Sequence, residues 1–258
     1  MQPTAQALAR TYSDREYPDP WEKVLDYRRV QEYAAEHPKH GRTRVGNALD
    51  LPPSRVRGWL NDGIPDPVRG IHTAIDYGWL DPDPDGDIAA GLVELLAHIL
   101  AGGSITNQTF VPAVATGQRV GVDEIEAAFE RVGVETTVRH GTTDGRATEV
   151  IPVADGSVLG RCLVTMGAPA GDKVTLDSFP STAWDAPESV QRSFARIYID
   201  HRARIYPEKR TMVIQEKRSR DYLEGLREFL STVTDESVTL GDRNVTISAD
   251  AVRELGIA

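Results

Sequence analysis

The sequence predicts an α+β protein, in which an N-terminal tri-helical helix-turn-helix domain precedes a larger domain made of two repeats with pseudo-twofold symmetry. Two observations predict this class. Apolar residues recur with helical spacing between residues 21 and 80, and beyond an acidic segment the order αββαββα occurs twice, at a period of about 100 residues. We expect a flexible lead-in at 1–20 and the helix-turn-helix domain at 21–80. An acidic linker at 81–87 should follow, and the two repeats should occupy 88–170 and 171–258.

The lead-in is polar and contains prolines, so we expect it to be poorly ordered. The helices after it follow from apolar spacing and from capping residues. Ser54 is expected to be the N-cap of the second short helix, and Asn61-Asp62-Gly63 should end that helix. The expected helices of this part lie at about 21–37, 43–49, 54–62 and 67–77.

The segment DPDPDGD at 81–87 is expected to be an extended linker, because proline stiffens it and its aspartates repel one another. The first repeat then begins with a strongly apolar helix over 88–101, and the second begins with a helix over 187–199. Between these helices, alternating runs predict strands, and the run VLGRCLVTMG at 158–167 is among them.

Charge does not by itself identify the partner. The chain has a net charge of −10, and only five of its 29 basic residues are lysine. An acidic composition nearly without lysine resembles that of proteins from salt-loving archaea, in which an acidic surface is a general solvation device. The positions of the basic residues are therefore more informative than the net charge.

Several classes of protein are disfavoured. The single cysteine, Cys162, excludes an internal disulfide and any multi-cysteine metal site, and its apolar surroundings indicate a core residue. No apolar run approaches the roughly 20 residues that span a bilayer, and no secretory signal is recognisable, so a cytoplasmic location without membrane association is expected. The histidines lack metal-ligand spacing, and His98 is expected to lie at an interface between helices.

Basic residues gather in two stretches, 38–60 and 192–220. In the first stretch the second short helix carries arginine and asparagine on its polar side, and in a major groove such side chains reach guanine and adenine edges. The alternative is an ordinary helical hairpin with a solvated arginine face. The DNA-contacting residues expected here are Lys39, Arg42, Arg44, Ser54, Arg55, Arg57 and Asn61.

Two segments carry a resemblance to a known family: LLAHILAGGSI at 95–105 and SFARIYIDHRARI at 193–205. Together with the repeat order they resemble the LAGLIDADG homing endonucleases in their single-chain, two-repeat form, over about residues 88–258. The resemblance implies two closely packed motif helices, with Ala97 at the position of a small residue. It also implies two four-stranded sheets that form a saddle over a DNA major groove.

The family places a metal-binding aspartate at the end of each motif helix, and the metals held there cut the phosphodiester. The corresponding residues in this chain are Gly102 and Arg202. Glycine offers no oxygen ligand and arginine repels a cation. Asp200 could serve only if the second helix were shifted by two residues. The resemblance therefore implies a DNA-binding scaffold without nuclease activity, metal or other cofactor.

The second basic stretch falls in or beside the strands expected in the second repeat, where backbone contact would favour phosphate binding. The expected DNA contacts there are Arg202, Arg204, Lys209, Arg210, Lys217, Arg218 and Arg220. The first repeat offers fewer basic residues, namely Arg119, Arg139 and Arg146.

These observations favour sequence-specific binding of double-stranded DNA without cleavage, as in a transcriptional regulator. The internal duplication allows such a protein to bind DNA as a monomer. Two alternatives remain open at the level of sequence. One is an active homing endonuclease with atypical metal ligands, and the other is a scaffold whose basic patches bind a protein or a small ligand.

Overall fold

The computed structural model of the protein describes residues 2–141 and 145–257, which form two compact units. The smaller unit comprises residues 4–76, and the larger contains residues 2–3 and those from 77 onward. The boundary lies before the segment 81–87, which we expected to be the linker. That segment packs within the larger unit, because Pro82 is buried and the Asp81 N–H donates to the Pro3 carbonyl at 2.9 Å.

The smaller unit contains five helices where the sequence predicts a tri-helical domain. The expectation of a flexible lead-in is wrong, since its residues 5–10 form the first of these helices. Thr4 caps this helix through its side chain, and Leu8 and Ala9 are fully buried. The five helices are α1 (Ala5–Arg10), α2 (Pro20–Glu36), α3 (Arg42–Leu49), α4 (Pro53–Trp59) and α5 (Asp66–Asp76).

Helices α3 and α4 are joined by a tight turn at Asp50, which has φ of 56°. Val56 and Trp59 of α4 are buried in a core with residues of α2 and α3. Ser54 is not the N-cap, because the helix begins one residue earlier, at Pro53, and Pro52 occupies the capping position. The helix ends at Trp59, before the predicted stop at Asn61-Asp62-Gly63, and the Gly63 N–H bonds to the Gly58 carbonyl beyond its end.

The larger unit confirms the predicted element order. The first repeat contains α6 (Asp87–Ala101), β1 (Gly103–Ile105), β2 (Pro112–Ala115), α7 (Val122–Arg131), β3 (Thr136–Arg139), β4 (Glu149–Pro152) and α8 (Gly156–Thr165). The second repeat contains α9 (Glu188–Arg202), β5 (Ala203–Tyr206), β6 (Thr211–Gln215), α10 (Arg220–Thr232), β7 (Val238–Leu240), β8 (Asn244–Ile247) and α11 (Ala249–Glu254). Two single 3₁₀ turns, Lys173–Thr175 and Ser181–Ala183, lie between the repeats.

Residues 158–165 of the run at 158–167 belong to α8, so the prediction of a strand there is wrong. Leu159, Cys162 and Leu163 are buried, and their spacing of three and four residues is that of one helix face. A short apolar run fits both periods, and packing decides between them.

Each repeat forms one four-stranded antiparallel sheet, and the two sheets have the same strand order. The order is β1-β2-β4-β3 in the first and β5-β6-β8-β7 in the second. Helix α6 runs into β1 and helix α9 runs into β5, so each sheet begins where a central helix ends. This arrangement is that of an internal duplication, and α6 packs against α9.

We expect Leu8→Ala to lower the free energy of unfolding of the smaller unit by about 2–5 kcal/mol, because a fully buried side chain is removed. Gln6→Ala is the matched control on the exposed side of the same helix, with an expected change below about 0.5 kcal/mol. Urea unfolding of the full chain, followed by circular dichroism, measures both. Equal effects of the two substitutions would mean that residues 5–10 do not pack.

Candidate nucleic-acid interface

The two central helices meet through a pair of histidines near their C-terminal ends. His98 of α6 and His201 of α9 are joined by a hydrogen bond of 2.9 Å between Nδ1 and Nε2. His98 is therefore an interface residue, as the sequence predicts. Gly102, which ends α6, lies against the same ring, because a Cβ built there would be 2.2 Å from His201 Nδ1.

The helix ends carry no carboxylate at the two positions that the resemblance assigns to metal binding. These positions are Gly102 and Arg202, and Asp200 is engaged elsewhere. Arg119 Nε donates to Asp200 Oδ1 at 2.9 Å and Arg119 Nη2 donates to the carbonyls of Ile199 and Ala203, at the end of α9. Across residues 2–141 and 145–257, no cluster of three or more His, Cys, Asp or Glu side chains could hold a metal ion.

A buried ion network stands beside the end of α9. Glu216, whose side chain is 1% exposed, accepts hydrogen bonds from Arg202 Nε at 2.7 Å and from Arg218 Nε at 3.2 Å. The Tyr198 hydroxyl donates to the same carboxylate at 3.0 Å. The carboxylate is thus satisfied by two cations and a phenol, as a buried charge requires.

The placement of Arg218 contradicts its expected role as a DNA contact. Its side chain is 2% exposed, and Nη2 donates to the Leu100 carbonyl at the end of α6. Its Nη1 donates to the Lys173 carbonyl, and Lys173 Nζ also donates to the Leu100 carbonyl, at 3.2 Å. Arg218 therefore ties the end of α6 to the segment after β6, and its donors are used within the protein.

Burial keeps the histidine pair neutral. It lowers the pKa of His98 to about 3, with a further contribution from His201. Burial, Lys173 and Arg202 lower the pKa of His201 to about 4. At neutral pH one ring therefore donates an N–H to the unprotonated nitrogen of the other. Burial and the neighbouring Arg202 and Arg218 also lower the pKa of Lys173, to about 7.

The outer face of the second sheet is polar and carries no acidic strand residue. The strand register places Arg204 beside Val213, which in turn pairs with Thr246, and it places Tyr206 beside Thr211. The same face includes the paired Gln215 and Asn244. Met212, Ile214, Val245 and Ile247 point to the opposite, buried face. The alternation predicted for these strands thus separates a core face from an open face.

Unpaired cations surround this open face. Most arginines of the chain form ion pairs, but five exposed basic side chains near the second sheet form none with any carboxylate of the described residues. They are Arg204, Lys209, Arg210, Lys217 and Arg243. Four of the five were expected from the sequence.

Two other expected contacts are partly neutralised. Arg202 is 40% exposed while it pairs with Glu216. Arg220, at the start of α10, pairs with Glu224 one turn later at 3.0 Å and keeps 61% exposure. Neither side chain is buried, but each already has an acidic partner.

The open face of the first sheet differs from that of the second. Arg139 pairs with Glu149 at 2.5 Å, and these two residues are cross-strand neighbours. Ser104 and Ala113, which pair across β1 and β2, add only small side chains. Arg146 is exposed, beyond the strands. The two sheets therefore have the same topology but different charge.

In the smaller unit, α4 presents fewer residues than the sequence predicts. Arg55 donates to the Tyr17 hydroxyl and to Glu16, both at 2.9 Å, and its guanidinium lies 4.6 Å from the Tyr17 ring centre. Its side chain is thus held within the unit. The other predicted contacts have exposed side chains: Lys39, Arg42, Arg44, Ser54, Arg57 and Asn61.

Sequence reasoning missed Arg243 and Tyr206. Arg243 lies in the turn between β7 and β8, and Tyr206, which ends β5, is 53% exposed. The Gly241-Asp242 pair indicates a turn at this place. The sequence does not show that β8 pairs with β6, which brings Arg243 to the same face as Arg204.

No family model matches the chain, and no curated protein matches it. Among solved structures, the chain is similar to the N-terminal LAGLIDADG domain of DUF199/WhiA, with 11% identity and a TM-score of 0.43, over 67% of this chain and 86% of that one. It is also similar to full-length DUF199/WhiA from Thermatoga maritima, with 12% identity and a TM-score of 0.41, over 67% of this chain and 56% of that one. Both TM-scores lie below 0.5, so the architecture rests on the chain's own element order and sheet topology.

We expect Gly102→Ala to destabilise the larger unit by about 1–3 kcal/mol, because the added methyl group displaces the His201 ring and breaks its bond to His98. In a His201→Ala background the same substitution meets no ring, and its cost should nearly vanish. A double-mutant cycle by chemical denaturation measures the coupling between the two substitutions, and we expect a coupling free energy above about 1 kcal/mol. Additive effects would contradict the close packing of the two helix ends.

Acid should destabilise the larger unit below pH 6.5. Between this value and about pH 4 the unfolded chain binds protons at His98 and His201 that the folded protein excludes, so stability falls as pH falls. His98→Gln should flatten the pH dependence, while His72→Gln, at an exposed position of α5 in the smaller unit, should leave that of the larger unit unchanged. Urea unfolding at pH 7, 5.5 and 4.5 measures the difference. Parallel curves for the wild type and His98→Gln would be inconsistent with a buried neutral pair.

Proposed function

We propose that the protein binds double-stranded DNA in a sequence-specific manner without cutting it, and that it acts as a transcriptional regulator. The observation that carries the proposal is the set of five exposed cations without acidic partners around the open face of the second sheet. In a chain of net charge −10, this concentration of unmatched positive charge favours a polyanionic partner.

The side chains of the open face are suited to reading bases as well as phosphates. Arg204 offers the two parallel donors that match guanine, while Gln215 and Asn244 offer the amide pattern that matches adenine. Strands present alternate side chains to a groove, and β-ribbons are known to enter the major groove. Lys209, Arg210 and Lys217 would then hold flanking phosphates.

The smaller unit supports a second contact. Arg57 and Asn61, on and just after α4, would face base edges, and Lys39, Arg42 and Arg44 would face phosphates. Arg55 is not part of this proposal, because Tyr17 and Glu16 already bind it. Two separate contact surfaces and an internal duplication allow one copy of the chain to occupy an asymmetric site.

Binding without cleavage follows from the chemistry of the helix ends. A metal-dependent nuclease needs carboxylates close to the scissile phosphate. Gly102 provides no ligand, and Arg202 is the residue that the resemblance aligns with the second metal-binding aspartate. An arginine at this place favours a phosphate instead.

We expect the triple substitution Arg204→Ala, Lys209→Ala and Arg210→Ala to weaken duplex binding and to flatten its salt dependence. The logarithm of affinity falls with the logarithm of salt concentration by about 0.9 per phosphate contact, so loss of two or three contacts reduces the slope by about two to three. Fluorescence anisotropy with a labelled duplex between low and high salt measures both quantities.

The matched control replaces Arg192, Arg227 and Arg253, which lie on α9, α10 and α11 and form ion pairs, and it changes the net charge equally. The proposal requires that the control keeps the wild-type slope. If both triple variants lose affinity and slope to the same extent, the interaction depends on net charge and not on the second sheet.

A further inference from the structure

Two adjoining cavities open on the outer face of the second sheet. One has a volume of about 500 Å³ and the other of about 770 Å³. Tyr206 and Val213 line both cavities, so a single ligand can extend from one to the other. The two cavities differ in chemistry, and this difference defines the kind of ligand that would fill both.

The smaller cavity is cationic. Arg204, Lys217 and Arg243 line it, and none of them pairs with a carboxylate of the described residues. The acid in its wall is Glu216, which already binds two arginines and a tyrosine. Three unmatched positive charges in one cavity exceed what a single phosphodiester neutralises. A chain of two or three phosphates matches them better.

The larger cavity suits a base. The exposed ring of Tyr206 provides a stacking surface, and Val213 provides an apolar floor. Asn244 and Thr246 bring an amide and a hydroxyl that can donate to and accept from a base edge. Glu208 and Lys209 also line this cavity, and their opposite charges leave it without net charge. Stacking and edge recognition are the two interactions by which proteins hold an unpaired base.

We propose that a nucleoside di- or triphosphate binds across these cavities, with its phosphates between Arg204, Lys217 and Arg243 and its base on Tyr206. The site overlaps the face assigned above to duplex DNA, so the nucleotide competes with the duplex for the same cations. A duplex offers the same chemical groups, but its bases are stacked within the helix and its phosphates carry their charge singly. The inference does not require that the duplex binds.

Isothermal titration calorimetry of the full chain with ATP, inorganic tripolyphosphate and adenosine tests the proposal. Tripolyphosphate should bind, ATP should bind at least about fivefold more tightly because its base stacks, and adenosine alone should bind weakly. Tyr206→Ala should lower the affinity for ATP to that for tripolyphosphate without changing the latter. Lys217→Ala with Arg243→Ala should lower both affinities at least tenfold.

Arg192→Ala with Arg227→Ala is the matched control, because it changes the charge equally on the helices of the same repeat. Thermal melts establish that all variants are folded. Equal affinity for ATP and tripolyphosphate in the wild type would overturn the base site. Equal losses in the control and in the Lys217 and Arg243 double variant would overturn the phosphate site.

Duplex binding measured on the same samples separates this proposal from the preceding one. If ATP binds as expected and the duplex does not, the nucleotide site stands and the duplex-binding proposal fails. If the duplex binds and neither ATP nor tripolyphosphate binds or displaces it, the nucleotide site is rejected and duplex binding stands.

Discussion

The packing of α6 against α9 determines where both sheets of the larger unit lie. Leu95, Leu96, Ile99 and Leu100 of α6 are fully buried, so the helix has little freedom to shift without exposing apolar surface. Each helix continues directly into the first strand of its sheet, at Gly103 and Ala203. A change in the packing of the two helices would therefore move both open faces together.

The ends of the same two helices are held together by groups other than carboxylate–metal contacts. The absence of a side chain at Gly102 lets the His201 ring approach α6. The ring then forms a hydrogen bond to His98 between the two helices. Glu216 neutralises part of the charge of Arg202 and Arg218 from within. A buried carboxylate with two arginine partners is costly to disturb, because removal of either partner leaves a charge uncompensated.

The sequence predicts well those features that depend on local patterns. The repeated αββαββα order follows from periodicity, whereas the assignment of Gly102 and Arg202 to metal-binding positions rests on the resemblance and stays a prediction. Two failures have a common cause, namely partners distant in sequence. Arg218 is buried because Glu216 and the Leu100 carbonyl meet it, and Arg55 is engaged because Tyr17 lies beside it. Within a basic stretch, the sequence alone does not distinguish the residues that have an acidic partner in the fold from those that have none.

Neither the helix α1 nor the charge difference between the two sheets can be predicted from the sequence. Leu8 is the one large aliphatic residue of Ala5–Arg10, and only the surface against which it packs makes its burial favourable. Arg139 carries the same charge as Arg204, but the register of β3 and β4 places Glu149 directly opposite it. Strand register, which a sequence specifies only weakly at polar positions, decides which of these arginines remains available.

Selection of bound fragments from genomic DNA by the purified full chain, at high salt and with or without magnesium, tests the central claim most directly. The account predicts that the same intact fragments, sharing one sequence motif, are recovered in both conditions. Fragments cut within the motif only when magnesium is present would contradict it and would identify an endonuclease with atypical ligands. Absence of any enriched motif would contradict sequence-specific binding and would favour a scaffold for another partner.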